Sequence, residues 1–433
     1  QPGWMKAIGR HTKECGVTLM ERVIICELIK QDGEIVGAVG LPVDGDEPIV
    51  FKARAVVIAA GGGGFRPPGY PTHELTADGA ALAYRVGATI TGKEFVSPMT
   101  PNSKEVAPLP IDGAEDGPAW VPIYEHFSSG HSAALPGAAA HIPFLQPYVN
   151  ALGEEVPHRG MSWHGWLDAH YETHAGRGPV YAKGDRGQKI IVSGPGAGGS
   201  MHGHATAGIF PSDTDCGVGI PGLYAAGDSL GTQFVGATYS GFGFATAHAS
   251  VTGAMAGTAA AGFAAARKGI GLDKQRVLNL IKSIKGPRER KGGFSPRWVT
   301  EILRSYITPY FVMYIKHERR LQAALDNVDF IRDHLLPKMT ATDAHELRLA
   351  HETRSMVLNA EMKLRSSLFR KESRGNHYRE DYPERNDPDW FAWVMLEEDE
   401  GKMTVSKKQM PEEWRPDPAK SYDERYPLRF PEE

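Results

Sequence analysis

The chain is poor in cysteine. Its 433 residues hold three, Cys15, Cys26 and Cys216, and no two stand in Cys-x-x-Cys spacing. That scarcity excludes an iron–sulfur cluster or structural zinc built from this chain's cysteines alone, and it leaves no disulfide framework. A reducing, cytoplasmic compartment follows as the expectation. Net charge is nearly absent as well. Forty-eight basic against 52 acidic residues give −4, which offers no ground for a nucleic-acid or anionic-membrane partner. The basic cluster KGPRERK (285–291) reads as a solvated loop. No 18 apolar residues follow one another, so no bilayer span is expected, and the Ala/Gly stretch 252–266 is too small-residued and polar-edged to change that. No signal peptide is visible behind Gln1.

What is present is a 41% hydrophobic chain long enough for two or three domains. Residues 4–14 carry a helical pattern that ends near Gly16. QDGE (31–34) is a hairpin turn between β-branched runs. FKARAVVIAA (51–60) reads as a further strand, and its near-continuous apolar character suits burial on both faces in a parallel sheet. A short helix is expected from Gly79 to Val86. Residues 100–187 lack periodicity. Strands return at KIIVSG and GLYAAGD, followed by a small-residue helix over about 241–267. Apolar spacing of three and four from 296 to 371 predicts a helix bundle. The last sixty residues, rich in Pro, Asp and Trp, are expected to wrap a surface. No internal repeat is found.

Two stretches carry chemistry. In AAGGGGF (59–65) glycines follow a strand, and without a Cβ the backbone can approach a ligand closely. FRPPGYP cannot begin a long helix at once, so this is neither a P-loop nor an opening dinucleotide fingerprint. In PGLYAAGDSLGTQFVGATYSGFGFATAHASVTGAMAG (221–257) a strand ends at Gly227-Asp228. Asp228 there could accept hydrogen bonds from a ribityl or ribose hydroxyl. The helix N-terminus near Ser240–Gly243 could face a partial negative charge. The competing reading is a packed structural helix beside a solvated aspartate.

Together, GEIVGAVG…FKARAVVIAAGG, TADGAALAYRVGA…KEFV and GIPGLYAAGD…GATYSGFGFATAHASVTGAMAG occur in an order and spacing that resembles the flavoprotein family of succinate dehydrogenase, fumarate reductase and L-aspartate oxidase. RKESRGNHYREDYPERNDPDW (370–390) resembles that family's carboxy-terminal segment, so the likeness runs from about residue 4 to 395. It implies an α/β fold: a glutathione-reductase-type FAD-binding domain, an inserted α+β capping domain and a C-terminal helical bundle. The expected boundaries are 1–98 and 189–268 for the two parts of the FAD domain, 99–188 for the cap, 269–395 for the helical domain, and 396–433 for an extended tail. Carried over, Ala59, Ala60, Gly61 and Gly62 would line the cofactor, as would Gly227. Asp78 matches a flavin-contacting aspartate, with Ala77 replacing the usual Gly before it. Asp228 stands where the family has Glu. Ser240, Gly241 and Phe242, in the stretch to Ala245, would lie near the isoalloxazine ring.

The departures concern substrate. Family members that handle succinate or fumarate grip its carboxylates with Arg and His. Here Tyr239 stands for the Arg after GAN, Met99 stands where a substrate-binding His would be, and AAAHIPFLQ replaces the stretch with the proton-donating Arg. Tyr and Met supply no fixed cation for a dicarboxylate. Succinate and fumarate are therefore not the expected substrates.

Other residues remain for catalysis. GSMHGHATAGIF (199–210) aligns with a substrate-facing segment, so His202 or His204 inherits that position as hydrogen-bond donor or acid/base. The His-x-His pair lacks a third ligand placed by sequence, and no metal is expected. Tyr239 could donate a proton or simply pack; YSGFG is also similar to the Tyr-Pro-Gly-Ala-Gly element of ketosteroid dehydrogenases. Arg177 lies loosely where the family places a cap arginine. His170 and His174, four apart, read as exposed loop histidines, and Trp163 and Trp166 as walls of a planar substrate or anchors of the cap. Glu372 and Arg374 in ESRG read as architectural.

The resulting expectation is an FAD-dependent oxidoreductase exchanging a hydride between flavin N5 and an activated carbon–carbon bond of a small-molecule substrate. The alternatives are an electron-transferring flavoprotein subunit without its own substrate and an adenylylsulfate-reductase-like α subunit. An iron–sulfur or other electron-transfer partner subunit is implied, which would make the protein cytoplasmic or peripheral to a membrane complex. In this architecture a GxGxxG strand–turn–helix precedes the AAGGGG strand. None is present before Gly61, so the chain is expected to be an amino-terminally truncated flavoprotein that holds half of a flavin site and binds FAD weakly or not at all.

Overall fold

A computed structural model of the chain describes residues 2–66, 75–96, 148–156, 180–183, 189–193, 207–232, 244–374 and 377–425, together with Glu172, Ala175 and Arg177. Helix α1 (Pro2–Glu14) leads into an antiparallel meander of β1 (Val23–Gln31), β2 (Glu34–Pro42) and β3 (Ile49–Lys52). The β1–β2 turn falls at the expected place: Gln31 faces Glu34, and the two central residues, Asp32 and Gly33, both have positive φ, as a twist-matched hairpin requires. At Gly37 the meander closes very tightly. A Cβ built there would stand 2.0 Å from the Phe51 carbonyl oxygen.

FKARAVVIAA is not one strand but two. Phe51–Lys52 finish β3, where Ala53 N–H donates to the Val36 carbonyl. The chain then changes partners, and β4 (Val56–Ile58) runs parallel to β11 (Leu223–Ala225) in the register Val56↔Leu223 to Ile58↔Ala225. The expectation of burial on both faces fails for β4: Ile58 is buried, but Val57 is 38% exposed. The run of small and β-branched residues has the composition of a doubly covered strand, but its apolar length serves two different sheets. Helix α2 (Asp78–Arg85) lies where the short helix is predicted.

Four further strands, β6 (Tyr148–Val149), β7 (Glu155–Val156), β8 (Val180–Lys183) and β9 (Lys189–Ser193), form an antiparallel sheet in the order β7-β6-β8-β9 within the expected cap. A second four-stranded sheet, with the order β10-β5-β14-β15, corrects the reading of the C-terminus. Its members are β5 (Ile90–Thr91), β10 (Gly208–Ile209), β14 (Ala392–Asp399) and β15 (Lys402–Gln409). Residues 396–409, expected as part of an extended tail, are thus a hairpin. Leu396, fully buried, faces Ile90.

The small-residue helix α3 (Phe244–Ala266) is apolar but mostly exposed. Thr252, Ala256 and Ala260, spaced one turn apart, make a narrow buried stripe that packs on β4, β11 and the turn 227–229. Val251 and Met255 point outward. Among the described residues it is the one helix whose length and composition would suffice to cross a membrane. The helical region holds α4 (Lys274–Glu289), α5 (Pro296–Ile307), α6 (Glu318–Phe330) and α7 (Ala344–Phe369), so the pattern expected to be helical throughout is interrupted. Asp273, Ser295 and Asp343 cap α4, α5 and α7 by accepting from free backbone N–H groups. In the gap between α5 and α6, β12 (Ile315–Lys316) pairs in parallel with β13 (Tyr378–Arg379). KGPRERK corrects another expectation: it begins within the last turns of α4, where Lys285 meets Glu47 and Arg288 meets Asp46 across to the meander.

Gly37→Ala is expected to cost roughly 3 kcal/mol or more, because the clash is with backbone and cannot be relieved by a rotamer. Gly257→Ala, with nothing within 4 Å of its Cβ, serves as the control and should be neutral or stabilising. Urea unfolding of the two variants measures both.

Candidate functional site

The parallel pair β4/β11 delivers two turns to one end of the sheet, the carboxyl end where open α/β sheets bind ligands. From β4 come Ala59, Ala60 and Gly61, the last at φ +73°. From β11 come Ala226, Gly227 at φ +61°, and Asp228. Ala226 N–H donates to the Ile58 carbonyl at 2.9 Å, which extends the ladder one residue past the strands. Ser229 then crosses between the turns. Its hydroxyl accepts from Ala60 N–H at 2.9 Å and donates to the Gly61 carbonyl at 3.1 Å. Gly227 N–H is held by Thr252 Oγ1 of α3 at 2.9 Å.

Asp78 opens α2 beside this place. Gly79 packs so closely that an added Cβ would stand 3.0 Å from Ile58 Cγ2 and 3.2 Å from both Ala60 Cβ and Ser229 Oγ. Thr76 donates its hydroxyl to the Asp78 carboxylate. Ala77, between them, is forced to φ +62°, the left-handed region, which explains why the family resembled here prefers glycine at that position. The residues expected to line a cofactor therefore converge in part: Ala59, Ala60, Gly61, Asp78, Gly227 and Asp228 share one neighbourhood, while Gly62 is buried away from solvent.

Two residues of this neighbourhood escaped the sequence reading. One is Ser229. The other is His248, whose Nε2 lies 2.6 Å from Thr232 Oγ1. Burial lowers the pKa of His248, and the nearby Asp228 carboxylate opposes that shift. A histidine within an Ala-rich helix gives no periodic signal. Only the position of Thr252 and His248 one turn apart on α3 shows that both turn toward 227–232.

Other expected site residues fall differently. His202, His204, Tyr239, Ser240, Gly241 and Phe242 lie outside the described residues, as do Met99, Trp163, Trp166, His170 and His174. Arg177 is described. Its guanidinium donates to both carboxylate oxygens of Glu172 at 2.7 Å, and Asn150 donates to the same carboxylate at 3.0 Å. Arg177 holds the Glu172 carboxyl below its ordinary pKa. That geometry gives the guanidinium a fixed anion beside the β6–β7 turn.

Glu372, Ser373 and Arg374 of ESRG are buried. Arg370, with no exposed surface, pairs with Glu94 and Glu372 at 2.8 Å and donates to the Trp390 and Ala392 carbonyls. Arg374 pairs with Glu372 and Asp387. Beneath them lie three buried lysines. Lys316 Nζ donates to the Glu94 carbonyl at 2.6 Å and sits 2.9 Å from His377 Nδ1. Lys93 Nζ donates to Asn359 Oδ1 at 3.0 Å, and Lys363 Nζ reaches the Lys93 carbonyl at 3.3 Å. Burial pushes Lys93 and Lys363 down to about 7. Lys316 is held well below its ordinary value, chiefly by burial and then by the Lys363 charge.

The site can receive a ligand that needs close backbone approach. Ala59 and Ala60 are exposed, and the Cβ direction of Gly61 is open, with Leu75 Cδ2 the nearest atom at 3.7 Å. A carboxylate stands on the opposite turn. This donor and contact set fits a polyol-linked ring cofactor such as a flavin: a bare backbone edge for the ring or its chain, and Asp228 for hydroxyls. Among the described residues no group of His, Cys, Asp and Glu could hold a metal ion.

Comparison with known proteins supports FAD as the cofactor. The "FAD binding domain" family matches residues 3–103, and the "Fumarate reductase flavoprotein C-term" family matches residues 303–422. An uncharacterized FAD-dependent oxidoreductase of Methanocaldococcus jannaschii is 26% identical over 410 residues, covering 91% of this chain and 72% of that one. One subunit of the fumarate reductase (CoM/CoB) of Methanothermobacter marburgensis is 26% identical over 408 residues, covering 88% and 70%. The adenylylsulfate reductase of Archaeoglobus fulgidus shares the mixed helix and strand fold at a TM-score of 0.65 and 20% identity, over 90% of this chain and 72% of that one. The chain belongs to the succinate dehydrogenase, fumarate reductase and L-aspartate oxidase flavoprotein family, whose members are FAD-dependent oxidoreductases.

Two outcomes are expected here. Ala77→Gly should stabilise the protein by about 0.5–1 kcal/mol, since relief of left-handed strain exceeds the added freedom of the unfolded chain; thermal melting measures it. The buried lysines set a pH dependence. Folded Lys93 loses its proton near 7, whereas in the unfolded chain this happens near 10.5. Between those values the unfolded state binds more protons, so stability rises with pH, by up to about 1.4 kcal/mol per pH unit per lysine. Urea unfolding at pH 7 and pH 8.5 should show a shallower rise in Lys93→Met than in the native chain.

Proposed function

We propose that this member of the family exchanges a hydride between flavin N5 and a carbon–carbon bond activated by a carbonyl or similar group, and that succinate and fumarate are not its substrates. The observation that carries the reading is the convergence of 59–61, 78–79 and 227–229 across the β4/β11 ladder, three segments far apart in sequence that leave one open backbone edge opposite a carboxylate. Ala59, Ala60 and Gly61 would line the cofactor, with Asp78 and Gly227 at its margin and Asp228 accepting from its ribityl hydroxyls. Ser240, Gly241 and Phe242, just before α3, would meet the ring. The flavin supplies the redox chemistry when bound; the chain's part is to hold it, exclude water and place a proton. His204, His202 or Tyr239 would move that proton. Arg177, engaged by Glu172, would frame the cap that covers the substrate.

The substrate reading rests on lost cations. Tyr239 and Met99 offer hydrogen bonding or packing in place of fixed positive charge, which suits a neutral carbonyl better than a dicarboxylate. The fold likeness to adenylylsulfate reductase supports a second reading, action at sulfur with an electron-transfer partner subunit.

A direct test uses the flavoprotein expressed from its natural reading frame. It should copurify with FAD, bleach with dithionite and be reoxidised by enones but not by fumarate. Turnover of adenylylsulfate would select the second reading, and turnover only alongside a copurifying ferredoxin-like protein would assign it to electron transfer. Asp228→Ala is expected to weaken FAD binding at least about tenfold, as loss of a charge-assisted hydrogen bond implies, measured by flavin fluorescence titration.

A further inference from the structure

We infer that Ser229 is a positioning residue for the flavin: its side chain sets the spacing between the 59–61 turn and Asp228, and so sets how the cofactor is seated. The inference rests on the FAD reading above, but its structural part does not.

Ser229 is 2% exposed and follows Asp228 directly, so any displacement of its side chain is transmitted to that carboxylate through one peptide. Its hydroxyl makes two bonds of opposite sense to consecutive residues of the facing turn, accepting from Ala60 N–H and donating to the Gly61 carbonyl. No other side-chain type of this size does both: alanine does neither, and a thiol is a poor donor and acceptor. Gly79 closes the third side, with the position its Cβ would take 3.2 Å from Ser229 Oγ. On the fourth side the Ser229 carbonyl is crowded by β10, since a Cβ on Gly208 would stand 2.6 Å from it. The serine is thus held from β10 and α2 while it holds the turn.

This has a chemical consequence for the cofactor. Ala60 N–H is taken by Ser229 and is not offered to a ligand. The flavin would meet the turn through its bare Cα edge and van der Waals contact. Hydrogen bonding to the cofactor from this end of the sheet would come from the Asp228 side. A cofactor that rests on an edge whose Ala60 donor is already engaged is sensitive to the height of that edge, and Ser229 fixes the height.

The experiment uses the full-length flavoprotein and compares Ser229→Ala with the native chain. Expected are an FAD dissociation constant raised about tenfold, equivalent to about 1.4 kcal/mol, a shifted visible absorption band and a changed flavin reduction potential. The melting temperature of the flavin-free protein should fall only modestly, by a few degrees, as the loss of two side-chain hydrogen bonds implies. Dissociation constant, spectrum and potential all at native values would overturn the inference, as would changes matched by an equal loss of flavin-free stability. If Ser229→Ala does not fold, Ser229→Cys replaces it, and the same readouts decide in the same way. Hydrogen exchange of the flavin-free protein separates the two readings. Faster exchange of the Ala60 amide in the variant supports the serine's grip even if the native chain takes up no flavin, a result that would instead sink the FAD reading. Unchanged exchange there would overturn the grip itself.

Discussion

Three residues of parallel ladder, Val56–Ile58 against Leu223–Ala225, bring together segments far apart in the sequence. Everything proposed for the site depends on that short pairing. It is reinforced at each end: Val56 N–H reaches the Gly222 carbonyl, Ala226 N–H reaches the Ile58 carbonyl, and Ser229 and Gly79 then lock the turns that follow. A ladder this short contributes little by itself, since each net backbone hydrogen bond is worth only about 1 kcal/mol. Its neighbours supply the rest, namely α2, the stripe of α3, and the sheet containing β5 and β10.

The buried ion cluster performs a comparable service between the sheet and the helical region. Arg370 binds Glu94, which follows β5, and the Trp390 and Ala392 carbonyls, which precede and begin β14. One planar guanidinium therefore joins the two strands that pair through Leu396 and Ile90. Its faces are also used, with the Phe95 and Trp390 rings 5.3 and 5.5 Å away. Burying such charges gains little net stability against an apolar core of the same shape, but removing a single partner leaves an uncompensated ion. The cluster acts as a specification of geometry, and three lysines whose charge is suppressed by burial surround it.

Much of the fold was legible where local chemistry decides the conformation. Asp32-Gly33 announced the hairpin, the spacing in 296–371 announced helices, and the glycines after Ile58 announced a turn at the end of β4. What was hidden depended on partners distant in the chain. Nothing in FKARAVVIAA marks the point at which the strand leaves β2 for β11, because Ala53–Ala55 suits either sheet. The C-terminal hairpin was concealed by charged residues such as Glu397, Glu398 and Lys402, which are exposed on its outer end. Ser229 and His248 were invisible for another reason: serine and histidine carry no periodicity, and their roles exist only once α3 and the two turns are side by side.

The central place of β14 in its sheet bears on the order of assembly. Ile90 and Thr91 of β5 emerge from the ribosome long before β14, and β10 can flank them on one edge. Their other edge waits for Met395 and Leu396. At roughly 5–20 residues per second that wait lasts on the order of tens of seconds. Until then β5 presents bare backbone donors and acceptors beside a half-built cofactor site, the kind of strand edge that recruits the wrong chain. The nascent protein therefore has a window of vulnerability written into its topology, closed only when β14 has been made.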